Sequence, residues 1–182
     1  MTNVDAVNKA IEATIGKEGG YSNNPNDTGG ATMWGITEKV ARAHGYAGEM
    51  RNLPRAKAVE IYEADYWYGP RFDQVASLSE SIATECFDTG VNMGPSVASK
   101  FLQRWLTAMN NQGKLYPDLA ADGMIGPRTI AALKSYLSVR GKKGEAVLLK
   151  GLNCSQGARY LELAESRPAN EEFLYGWMER VQ

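Results

Sequence analysis

Apolar residues recur every three or four positions through most of this chain, and proline or glycine cuts the pattern into short lengths. That spacing puts the apolar side chains on one face of a helix, while proline and glycine set where each helix can begin and end. Asn3 to Lys17 carries Val4, Val7, Ile11 and Ile15 on one face, with Thr2 or Asn3 as a cap and Gly19-Gly20 as a stop. Thr37 caps a helix ending near His44-Gly45, and Leu53-Pro54 opens another that runs to about Tyr68, before Gly69-Pro70. Ser79 caps the next, through Ile82, Cys86 and Phe87 to Gly90. Pro95 opens a helix with Val97, Phe101, Leu102, Trp105 and Met109 along one face, and Pro127 opens one with Ile130, Leu133 and Leu137, closed by Gly141. Val147 to Ala164 reads as helix despite Gly151 and Gly157. Each glycine costs about 1 kcal/mol relative to alanine there, so close helix packing is the expected reason for them. A last helix holds Phe173, Leu174 and Trp177. Only Tyr21 to Ile36 breaks the pattern. Asn23-Asn24-Pro25-Asn26-Asp27 and Gly29-Gly30 are turn formers, and the run Ala31-Thr32-Met33-Trp34 is too short for a free-standing sheet. The expected fold is mainly α, with a small N-terminal β-hairpin element.

Composition narrows the function. Hydrophobic residues are 43% and charged residues 23% of the 182, the balance of a globular chain rather than a disordered, collagen-like or membrane-spanning one. Folding at this length buries roughly 70% of the unfolded surface, so no disulfide or metal staple is needed. The 20 Lys+Arg against 21 Asp+Glu leave a net charge of -1, which gives no electrostatic case for nucleic acid or an anionic membrane. One histidine, two cysteines and no Cys-x-x-Cys argue against a zinc site. Cys86 and Cys154 are expected as two buried free thiols, and nothing in their spacing requires a disulfide. Met1 to Gly20 has no basic stretch followed by an apolar run, so no secretory signal is expected.

The chemistry-bearing stretch runs from Glu18 to Thr37. Glu18 closes a helix, Asp27 follows nine residues later among turn formers, and Thr32 lies on the returning arm. A hairpin folded back over the helix end would hold all three around one cleft. Two carboxyl groups flanking a glycosidic bond are what glycoside hydrolysis needs, one protonated for the leaving oxygen and one ionised. The negative end of the helix dipole disfavours ionised Glu18, and Tyr21 and Trp34 can exclude water from it, so its pKa is expected to rise. Asp27, among backbone donors, stays ionised more easily. Singly, each residue also fits a bland role as a solvated helix end or a turn former.

The stretch Glu18-Gly-Gly-Tyr21, Asp27, Gly29-Gly-Ala-Thr32 and Gly35-Ile-Thr37 resembles the opening motif of the glycoside hydrolase family 108 muramidases, a group that includes phage endolysins. Its Glu, Asp, Thr order also resembles that of the phage-type lysozymes. Tyr62-Glu-Ala-Asp-Tyr66-Trp67 resembles the family's Tyr-x-x-x-Tyr-Trp helix, in which core filling is the commoner role for the aromatics. Phe87-Asp-Thr-Gly-Val-Asn92-Met-Gly-Pro95 resembles the junction with a following predicted peptidoglycan domain, and Asp122-Gly-Met-Ile-Gly-Pro-Arg-Thr129 a signature of peptidoglycan-binding modules that can be purely architectural. The resemblance implies an α+β lysozyme-like fold with a catalytic part over 1–93 and a helical part over 94–182, the two packed as one compact unit. It implies Glu18 as catalytic acid, Asp27 as the carboxylate assisting water, and Thr32 as the residue positioning that water. Trp34, Tyr66, Trp67 and Asn92 become candidates for substrate contact, Asn92 with helix capping as an equal alternative. No cofactor or metal is implied.

The substrate so implied is the β-1,4 bond between N-acetylmuramic acid and N-acetylglucosamine in bacterial peptidoglycan. A carboxyl gap of roughly 6.5–9.5 Å would mean inversion and about 5–5.5 Å retention, and the phage-type likeness leans to inversion. A lytic transglycosylase, which needs no second carboxylate, and a non-catalytic peptidoglycan-binding or phage structural protein are the alternatives. The expected setting is a monomer made in the bacterial or host cytoplasm, released to the cell wall with a holin as partner.

Overall fold

The computed structural model describes residues 3–18, 20–23 and 30–181, with the side chains of 3–6 and 16–18 left outside. The chain divides into two compact units, 1–69 and 70–182. That division falls at Gly69-Pro70, ahead of the 93/94 boundary expected from sequence.

In the first unit, helix α1 (Asn3–Glu18) buries Val7, Ala10, Ile11, Thr14 and Ile15, the face its periodicity predicts; Val4 lies outside the described side chains. Strands β1 (Thr32–Met33) and β2 (Ile36–Thr37) pair antiparallel, Thr32 opposite Thr37 and Met33 opposite Ile36. Thr32 also bridges back to Ser22, each amide bonding the other's carbonyl at 3.0 and 2.8 Å. Thr37 caps α2 (Glu38–Ala43) by accepting from the Val40 amide. A 3-10 turn (Met50–Asn52) leads to α3 (Arg55–Tyr62), which widens into a π-helical stretch, Glu63–Tyr68. Sequence periodicity predicts an unbroken helix to Tyr68. Instead the Gly69 amide reaches back five residues to the Ala64 carbonyl at 2.9 Å, the signature of a widened turn. Ile36, Ala41, Met50, Leu53, Ala58, Ile61, Tyr62 and Trp67 complete this core.

In the second unit, α4 (Phe72–Ala76) is a short helix that periodicity did not mark, because five residues hold too little pattern. Helix α5 (Glu80–Met93) is capped by Ser79 as expected, and α6 (Pro95–Ala108) opens at Pro95. The two pack against each other, and Ile82, Ala83, Cys86 and Phe87 of α5 and Ala98, Phe101, Leu102 and Leu106 of α6 are buried. The loop that follows is tied down by buried Gln103. Its Nε2 donates to Asp122 Oδ1 at 2.8 Å and to the Met124 carbonyl at 2.9 Å, while its Oε1 accepts from the Gly123 amide at 3.0 Å. The Asp122 to Thr129 signature is thus held as architecture. Helix α7 (Pro127–Ser166) is interrupted at Gly141, whose φ of 55° and ψ of -152° only glycine adopts readily. Helix α8 (Glu171–Met178) returns so that Trp177 stacks on Tyr160 at 5.3 Å between ring centres. Cys86 is buried and Cys154 exposed, both free, so only one of the two thiols is in the core position expected of both.

Gly151 and Gly157 separate into two cases. A Cβ at Gly151 would stand 2.8 Å from the Trp105 indole, which is held by its N–H to Ser155 Oγ at 2.8 Å. At Gly157 the nearest atom would be Met178 Cε, at an ordinary 3.5 Å. Gly151→Ala should therefore lose about 1–3 kcal/mol through overpacking. Gly157→Ala should be unchanged or gain up to about 1 kcal/mol from helix propensity. Urea midpoints of the two variants check the contrast, and equal values would contradict it.

Candidate active site

The catalytic candidates begin where α1 ends. Glu18 is the last residue of that helix, its side chain outside the description, and Asp27 lies outside the described residues altogether. Thr32 is described. Four residues past Glu18 the chain reaches Ser22, and the Ser22–Thr32 bridge closes the intervening loop at its base. Thr32 pairs with Thr37 on one face of the small sheet, while Ile36, 2% exposed, takes the opposite face into the core. Alternation therefore turns the half-buried Thr32 side chain away from the core.

Trp34 and Gly35 form the two-residue reversal between β1 and β2, with φ of 56° and 74°. Positive φ at both central residues is the hand that matches strand twist, but it is a strained conformation for tryptophan. Two tertiary bonds hold it. The indole N–H donates to the Leu53 carbonyl at 2.9 Å, and the Tyr62 hydroxyl donates to the Trp34 carbonyl at 2.9 Å. Trp34 is thus first an anchor of the hairpin.

Tyr66 and Trp67 part company in the widened turn. Tyr66 is half-buried, its ring 5.7 Å from that of Tyr62, and burial, then the charge of Asp65, raises its pKa, so it remains a hydroxyl donor at neutral pH. Trp67 is 0% exposed. Its ring fills the core and offers no face to a sugar, which corrects its place among substrate contacts. Asn92 lies in α5 of the other unit, not after the helix end. Its Nδ2 donates to the Asp88 carbonyl at 2.8 Å and its Oδ1 accepts from Arg180 at 3.1 Å. Both ends of the amide are engaged in holding the second unit together.

Sequence reasoning missed the polar stripe to which Asn92 belongs. Glu85, Asp88, Thr89 and Asn92 recur at three- and four-residue spacing on α5, a pattern readable as one face. Glu85 is pushed up to about 7 by burial first and the neighbouring Asp88 second, opposed by the Thr89 hydroxyl at 3.2 Å. From α7, fully buried Gln156 donates to Asp88 at 2.7 Å, and its Oε1 has no hydrogen-bond partner among the described residues.

On the first unit a polar cavity of about 690 Å³ lies beside the β1 arm, lined by Tyr21, Gly30, Ala31, Glu38, Arg42 and the 3-10 turn. Among the described residues no group of three or more His, Cys, Asp or Glu is placed to hold a metal ion. None of the described helices is long and apolar enough to cross a membrane.

Two family models match the chain in tandem, Glycosyl hydrolase 108 over residues 11–94 and Predicted Peptidoglycan domain over residues 97–182. The region over 11–94 is similar to the glycosyl hydrolase 108 family and the region over 97–182 to the predicted peptidoglycan domain, and together these matches support a glycoside hydrolase that acts on peptidoglycan. A solved structure of Brucella abortus SagA is similar at 27% identity and a TM-score of 0.72, covering 98% of this chain and 90% of that one. The fold is accordingly mainly α and lysozyme-like. No curated protein matches.

Two outcomes follow from this geometry. Tyr62→Phe removes the donor to the Trp34 carbonyl and should cost about 1 kcal/mol, lowering Tm and wall-degrading activity together; activity lost at unchanged Tm would contradict an anchoring role. For Glu85, the folded state favours the neutral carboxyl while the unfolded chain titrates near 4.5. Its stabilising contribution is therefore complete below about 4.5 and lost as pH rises to about 7. Glu85→Gln should leave stability near wild type at pH 4 and exceed it at pH 8 by about 1–3 kcal/mol. A pH-independent difference between the two proteins would refute the assignment.

Proposed function

We propose that the protein is a muramidase that hydrolyses the β-1,4 bond between N-acetylmuramic acid and N-acetylglucosamine. Glu18 protonates the leaving oxygen, Asp27 assists the attacking water, and Thr32 positions that water. The observation that carries this reading is the Ser22–Thr32 bridge. It ties the residue proposed to hold water to the segment that follows the Glu18 helix end, and Asp27 falls between Ser22 and Thr32 in sequence. Trp34 and Tyr66 serve as wall and hydroxyl donor beside the glycan, and Asn92 supports the second unit. In this reading the catalytic part is 1–93 and 94–182 is the wall-binding part. The endolysin setting follows the same likeness: a monomer acting on the cell wall, with a holin as the partner for its release.

General acid catalysis contributes about 10²–10⁴-fold, so Glu18→Gln should lose at least 10²-fold in the rate of peptidoglycan solubilisation. Mass spectrometry of the soluble products reads the bond: reducing N-acetylmuramic acid ends, released by wild type and not by the variant, are expected. Anhydro ends would transfer the protein to the lytic transglycosylases and strip Asp27 of its role. Unchanged digestion by Glu18→Gln would remove Glu18 as the acid.

A further inference from the structure

We propose that the cavity beside the β1 arm is a subsite for the peptide stem of the muramyl unit, with Arg51 pairing a stem carboxylate; this rests on the muramidase reading above. The cavity, about 690 Å³, is within the size range of small-ligand sites and opens beside Gly30 and Ala31, immediately before Thr32. Two arginines line it, and they differ in availability. Arg42 is spent. Its Nη1 donates to the carbonyls of Tyr46 and Gly48 at 2.8 and 2.6 Å, and its Nη2 to Glu38 at 2.8 Å. Arg51 ends with its guanidinium 4.7 Å from the centre of the Tyr21 ring and has no carboxylate partner among the described residues.

That stack decides the ligand chemistry. A bare tyrosine face would suit the apolar face of a sugar, but here the guanidinium covers the ring. What the wall presents is a planar fork of N–H donors, stiffened by the ring beneath it, which matches a carboxylate in two parallel hydrogen bonds. Glycan backbones of N-acetylated sugars carry no free carboxylate once the lactyl group is amidated, whereas the attached peptide does. Glu49, in the same cavity and also without an ion-pair partner among the described residues, supplies an acceptor for a peptide N–H or ammonium. An unpaired cation and an unpaired anion in one polar cavity suit a zwitterionic peptide better than a neutral sugar. The net charge of -1 for the whole chain carries no trace of this local arrangement.

The test uses the full chain and purified disaccharide-peptide from digested walls, with the same disaccharide stripped of peptide as its control. Calorimetric Kd values are measured for wild type, Arg51→Ala and Arg51→Lys. Wild type should bind the peptide-bearing ligand about tenfold tighter or more, a preference that weakens as salt rises. In Arg51→Ala the ratio of the two Kd values should fall towards one, with Arg51→Lys between, because lysine keeps the charge but loses the fork. A wild type without preference, or an Arg51→Ala protein that keeps it, overturns the subsite. Unchanged circular dichroism and Tm for the variants keep misfolding out of the comparison. Cleavage is read separately: a protein that cleaves glycan without peptide preference retains the muramidase reading and loses the subsite. One that binds with preference and never cleaves does the reverse.

Discussion

The reversal at Trp34-Gly35 is the constraint on which the first unit's hairpin depends. Two strands of two residues each cannot stand alone, since so few ladder bonds do not offset the backbone entropy of ordering them. The turn is also strained, with a tryptophan in the left-handed region. It persists because the Leu53 carbonyl and the Tyr62 hydroxyl take hold of both ends of that residue. Leu53 lies two residues ahead of α3 and Tyr62 is its last residue, so the α3 segment holds the hairpin and the hairpin holds Thr32. From Thr32 the order passes to Ser22 and the loop base. A glycosidase needs its acid, its water and its leaving group aligned to within fractions of an ångström; in the proposed reading, in which Thr32 positions the water, a hairpin clamped from outside holds that residue more rigidly than a free turn would.

The second unit shows two opposite treatments of buried polar groups. Gln103 is fully used, its amide donating and accepting at once, and the loop it holds is architecture. The stripe on α5 is less settled. Glu85 sits in a largely buried place next to a second carboxylate, and the Gln156 amide that steadies Asp88 leaves its own oxygen without a partner among the described residues. Burying an ionised carboxyl without a cation is costly, so the folded protein holds Glu85 neutral to near pH 7. The unit is thus most stable in mild acid so far as this residue is concerned.

The two family matches lie in tandem along the chain, the hydrolase match first and the peptidoglycan-domain match behind it. The division by compactness falls elsewhere, at Gly69-Pro70, because a chain is cut by where its contacts thin out and not by where its ancestry changes. Helix α5 belongs to the hydrolase match by sequence and to the second unit by packing. A nearly neutral chain has little long-range pull on an anionic wall, which leaves any selectivity to local groups such as the proposed Arg51 subsite.

Much was written in the chain itself. Helical periodicity with proline and glycine punctuation placed α1, α5, α6 and α7 within a few residues, and Thr37 and Ser79 announced their caps, because these are local effects with a fixed period. The proposal for Glu18, Asp27 and Thr32 rests on the same kind of local pattern, a short spacing inside one turn-rich segment. The π-helical widening at Glu63–Tyr68 was not legible, since apolar spacing alone does not separate a widened turn from an α-helical one. Trp67 itself could not be sorted into core or cleft by residue type, because an aromatic fits either until its surroundings are built. Spacing showed that Glu85, Asp88 and Asn92 share a face, yet only the approach of α7 decided that the face would be buried and its carboxyl held neutral. Local pattern carries dihedral angles, caps and periods; burial, and with it every shifted pKa and every available charge, belongs to the assembled chain, because desolvation is set by neighbours distant in sequence.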